Sequence, residues 1–159
     1  MRSPTVLRCL CALGLATALA ACADDAPADD ATYNCEADDR DEPFAINLAR
    51  TGAGGTTFTI VSADPALPIR GNNAWVIDVS RDGAPVPATD GEFLVTPFMP
   101  DHRHGTGIKA IWTPDPATPG RFTVSPINLW MPGVWEVTFE ETPTGGARDQ
   151  VKFTFCITG

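Results

Sequence analysis

A chain of 159 residues, 43% hydrophobic, with 20 acidic and 11 basic side chains, is long enough for one domain with a true core. Its formal charge of −9 argues against nucleic acid as a partner and against electrostatic attraction to anionic headgroups.

The first 21 residues read as a secretory signal. Arg2 and Arg8 supply the positive charge, and Cys9 to Ala21 carries none. An apolar run of roughly a dozen residues is too short to span a bilayer, which takes about 20. It ends in Leu19-Ala20-Ala21-Cys22, the pattern of a lipobox, in which small residues suit the signal peptidase and the Cys22 thiol takes a diacylglycerol. The expected product is a bacterial envelope lipoprotein whose contact with the membrane is the lipid on Cys22. Ala23 in place of Asp favours the outer membrane over the inner one.

Residues 22–42 are dominated by Ala, Asp and Glu and have little apolar area to bury, so an acidic flexible tether is expected there. Glu36 to Asp41 lacks the alternating acids and central Gly of a calcium loop. Removing the leader takes two cysteines with it, and lipid takes Cys22. Cys35 and Cys156 remain, an even pair in an oxidising compartment, and are expected to form one disulfide.

From residue 43 to 159 short β-runs alternate with turn clusters. The pattern predicts strands over 44–48, 56–62, 73–80, 92–98, 107–113, 121–125, 133–140 and 150–157. Trp75, Ile77 and Val79 share one face, as do Trp135, Val137 and Phe139, and Val151, Phe153, Phe155 and Ile157. No stretch after Cys22 has a helical period. Seven to eight antiparallel strands in this length predict an immunoglobulin-like β-sandwich. Cys156 then lies on the face opposite Phe155, and the segment carrying Cys35 is its expected cover.

The two histidines stand together in Phe98-Met99-Pro100-Asp101-His102-Arg103-His104-Gly105. In extended chain, residues two apart point the same way, so both imidazoles could reach one ion. Met99 and, in Leu129-Trp130-Met131-Pro132-Gly133, Met131 add thioethers, and thioether with imidazole is a donor set that selects copper. Counting strand directions brings both segments, and both cysteines, to the same end of the sandwich. The competing expectation is that the two methionines are apolar plugs and the histidines solvated loop residues. Phe98, Trp112, Trp130 and Trp135 read as core.

These segments resemble the YtkA-like/FixH-like domain, through Trp75 to Val79, Asp82 to Val86, Val95 to Gly105 and Pro126 to Val137. The resemblance implies an immunoglobulin-like periplasmic domain, often a lipoprotein, associated with copper handling and oxidase maturation. Members often carry Met where this chain has His102 or Arg103, which leaves the metal's identity and oxidation state open. The expected function is a copper carrier or chaperone with a site at Met99, His102, His104 and Met131. The alternative is a metal-free module that contacts an envelope protein. An enzyme is not expected, because no Ser-His-Asp pattern, phosphate-binding Gly loop or third histidine for hydrolytic zinc is present.

Overall fold

Apolar residues at every second position force a strand to bury one face, and the computed structural model shows two sheets doing so against each other. It describes residues 33–159, so the expected signal peptide and Cys22 lie outside the described residues. Ten strands follow in order: β1 (Ala49–Thr51), β2 (Thr56–Asp64), β3 (Gly71–Arg81), β4 (Ala84–Pro85), β5 (Gly91–Met99), β6 (His104–Gly105), β7 (Ile111–Pro114), β8 (Arg121–Leu129), β9 (Gly133–Pro143) and β10 (Asp149–Ile157). One sheet runs β1-β2-β3-β8-β7 with β4 on the end of β3, and the other runs β10-β9-β5-β6. Every pairing is antiparallel.

The core is the set of inward residues that the alternation picks out. Phe58, Ile60, Trp75, Ile77, Phe122 and Val124 from the first sheet meet Trp135, Val137, Phe139, Phe153 and Phe155 from the second, all buried. Phe139 bridges the layers, its ring 6.0 Å from Phe58 and 6.1 Å from Trp75. The all-β sandwich is the observed fold.

The short strands β1, β4 and β6 add to the seven to eight expected, and three expected segments take another form. Phe44–Leu48 is a turn rather than a strand: Asn47 has φ of 68°, and Phe44 packs on Trp75 and Phe155 with centroids 5.5 and 5.2 Å away. Its apolar residues plug the sandwich, and pairing with β2 begins at Ala49. The expected 107–113 strand is reduced to β7. Residues 126–129, expected in a loop, extend β8, because Ile127 and Leu129 continue the buried face.

The connections 65–70, 100–103 and 130–132 share one end, here called the top. Gly71 pairs Leu129 there, and Ile157 pairs Gly133. The expected disulfide is present at this end, joining Cys35 to Cys156 with 5.6 Å between Cα atoms.

Of the expected tether, residues 33–42 are strapped onto the domain. Tyr33 donates its hydroxyl to Asp38 at 2.6 Å, and Arg40 reaches Asp101 through two bonds of 2.6 and 2.8 Å. The Glu42 amide donates to the Thr154 carbonyl at 2.9 Å, and its side chain accepts from the Thr154 amide. One base among many acids is enough to tie this segment down once the disulfide has brought it close.

Candidate metal centre

The turn from β5 to β6 uses only Pro100, Asp101, His102 and Arg103. Arg103 closes it with φ of 55°, a left-handed conformation that costs a non-glycine residue about 1–2 kcal/mol. The segment is therefore not extended, as the sequence argument for the histidines assumed. Their rings still meet, with centroids 5.6 Å apart. Metal–nitrogen bonds of about 2.0–2.1 Å put two imidazoles on one ion at roughly 5–6 Å between centroids. The pair fits.

His104 is half-buried and the more constrained of the two. Its ring stacks on Trp130 at 5.1 Å and 21°, and Trp135 lies edge-on at 6.5 Å. Nδ1 is 3.2 Å from the Gly105 carbonyl oxygen, which also accepts from Trp130 Nε1 at 3.3 Å. A carbonyl only accepts, so Nδ1 carries the proton in that contact. With that tautomer the Nε2 lone pair would be left for a metal, the arrangement by which an outer partner fixes a ligating histidine.

Met99 is the cross-strand partner of His104. Such partners share a face, with Cβ atoms about 4.5–5.5 Å apart. Met99 is not in the top loop, as the sequence suggests, but is the last residue of β5 and 1% exposed. Its methyl end lies over Gly133, where a Cβ would stand 2.7 Å from it and 3.6 Å from the Tyr33 ring. Gly133 also has φ of 128°, so any side chain there would be strained and would push Met99 or Tyr33 out of place. Met131 is half-buried against the core in the neighbouring loop, and its carbonyl accepts from Trp135 Nε1 at 2.9 Å. The structure thus sets His102 beside His104, pairs Met99 with His104 across the ladder but buries its side chain in the core, and puts Met131 in the adjacent segment.

Asp101 is the nearest acid in sequence, but Arg40 engages it. The guanidinium holds the Asp101 carboxyl below the usual carboxylate range, while Asp101 and Asp38 raise Arg40 further above its ordinary value. Among the described residues no three His, Cys, Asp or Glu side chains converge. A site with two imidazoles must be completed by thioether or solvent, which suits copper better than structural zinc with its four firm ligands.

Three residues of this end escape sequence reasoning. Trp130 reads as core but is exposed, because Leu129 takes the inward position at the end of β8 and the next residue must point out. Tyr33 and Arg40 belong to a segment whose composition signals only solvation. The local cue was Arg40, the single base between Asp24 and Glu42.

A family model described as YtkA-like matches residues 50–140, more than half of the chain. The matched range holds the whole Met99–His104 turn and Met131, and leaves out the strap, β10 and both cysteines of the disulfide. No curated protein and no solved structure matches the chain. The chain belongs to the YtkA-like family.

Proposed function

We propose that the protein is a copper carrier of the bacterial envelope, attached to its membrane by lipid on Cys22. It takes the ion with His102 and His104, and a thioether from Met99 or Met131 completes the set. The observation that carries this reading is the His104 setting: paired across the ladder to Met99, stacked on Trp130, its Nδ1 committed to Gly105 and His102 beside it. Family membership supports it through the copper handling that the resemblance implies.

The purified protein should bind one copper ion. His102→Ala with His104→Ala should weaken binding by more than the roughly 10–100-fold that loss of an outer-shell partner costs. The sandwich should stay folded, since neither ring belongs to the buried core. Met131→Leu keeps volume but loses sulfur, so it should weaken Cu(I) and spare Cu(II) if Met131 ligates. Affinity that survives loss of both histidines places the ion elsewhere.

A second reading has an observation of its own. Among the described residues the outer edge of β5 is unpaired beyond Phe98 and Met99, and Leu94 and Ile108 are exposed along it. An apolar open edge accepts a strand from another protein. If the wild-type protein binds neither copper state, this metal-free module becomes the better reading.

A further inference from the structure

The lipid-anchor reading of Cys22 has a geometric consequence for the top of the sandwich. Eleven peptide steps separate Cys22 from Tyr33, and whatever their conformation they span at most about 36–40 Å. Tyr33 is fixed at the top, by Asp38 and by its place over Gly133. The sandwich is about 34 Å tall along the 11 residues of β9. Only a nearly straight connection lying flat against the domain would let the sandwich stand upright on its far end. Shorter connections hold the top within their own length of the membrane that carries Cys22.

The top also carries apolar side chains that the fold leaves uncovered. Leu67, Ile69 and Trp130 are 64%, 46% and 41% exposed. They form one rim: Arg70 Nε donates to the Trp130 carbonyl at 2.9 Å, and Gly71 pairs Leu129 just below. Leu67 and Pro68 continue it to Cys156 and the strap at Asp41 and Pro43. An indole beside aliphatic side chains, with Arg70 exposed between them, is the composition of a surface that rests at a membrane interface.

We propose that the rim of Leu67, Ile69 and Trp130 rests on the lipid surface to which Cys22 anchors the chain. The acidic body gives no electrostatic help, so the contact is apolar. It need not hold by itself, because the anchor turns it into an intramolecular event at high effective concentration. Trp130 also stacks on His104, so the contact would put the histidine pair at the lipid boundary and limit which face of it water reaches.

The test uses the full lipid-bearing protein in phosphatidylcholine vesicles, with brominated phosphatidylcholine as a short-range quencher of tryptophan. Trp75 and Trp135 are buried and Trp112 is partly buried in the core, so Trp130 is the indole that lipid can reach. The expected result is quenching in the wild type that is lost in Trp130→Phe. The Leu67→Asp, Ile69→Asp pair, whose side chains are already exposed, should reduce quenching while the protein still floats with the vesicles. Flotation without quenching, or equal quenching in Trp130→Phe, overturns the contact and leaves the anchor standing. Failure of the lipid-bearing protein to float overturns both. Copper plays no part in any readout.

Discussion

Asp149, at the end of the sandwich away from the histidines, shows how one buried side chain can hold several strands. Its Oδ2 accepts the Thr56 amide at 2.9 Å and its Oδ1 the Gln150 amide at 3.0 Å, while Glu141 beside it takes the Thr56 hydroxyl and pairs with Arg81. Burial alone would raise the Asp149 carboxyl, but the Thr56, Gly54 and Gln150 amides outweigh it and leave it below its ordinary value. Asp149→Asn turns an amide donor toward those amides and should cost about 1–3 kcal/mol, read as a lower urea midpoint with an unchanged slope. The sign follows from linkage: a depressed carboxyl stabilises above its unfolded pKa of about 3.9, and the benefit is lost as pH falls through the folded value. The gap between wild type and Asp149→Asn should therefore be widest near neutrality and narrow in strong acid. An equal gap at both ends would show that the charge is irrelevant. Single residues of this kind were not legible in the sequence, where Asp149 is one more acid near a turn. The histidine pair was legible by position but not by mechanism, since the left-handed Arg103, not extended chain, brings the rings together.

The strands with clean alternation, β3, β9 and β10, were legible within a few residues because their burial pattern repeats the sequence pattern. Phe44–Leu48 was misread because a short apolar run has no period of its own, and packing against Trp75 decided its shape. The strap was legible only through Cys35, as the expected cover of Cys156: composition reports what a segment cannot bury, not what a disulfide can pull into place. Its stability should accordingly depend on Cys35–Cys156, which closes a loop of sequence separation 121. Replacing both cysteines by Ser should cost about 2–5 kcal/mol by denaturant unfolding. The local effect should be larger than the global one. Without the bridge, residues 33–42 are held by the Tyr33 ring beside Gly133 and by polar contacts such as Arg40–Asp101, and exposed ion pairs contribute little. Trypsin should then cut after Arg40 faster than in the bridged protein, seen by mass after reduction. Equal cutting rates would mean that the strap docks by itself and that the disulfide only records its position.

At the scale of the whole molecule, charge and lipid pull apart the two ways of meeting a membrane. Without its expected leader the chain keeps 9 bases against 20 acids, a formal charge of −11. Such a body is repelled by anionic headgroups, and salt screens that repulsion rather than any attraction. Among the described residues no helix is long and apolar enough to cross a membrane. In the reading proposed above, attachment comes from acyl chains on Cys22, at about 0.8 kcal/mol per buried CH₂, and the two chains of a diacylglycerol would meet the requirement for stable anchoring where one would not. Two outcomes follow for fractionated cells. High salt should leave the wild-type protein on the membrane, whereas Cys22→Ser should move into the soluble extracytoplasmic fraction or keep its leader uncleaved at the inner membrane. The apolar rim at the top is too small to hold the protein there without its lipid. Cys22→Ser that is processed and still sediments with membranes, resisting salt, would show that something other than lipid attaches the sandwich, and the open edge of β5 would be the first place to look for a membrane-protein partner.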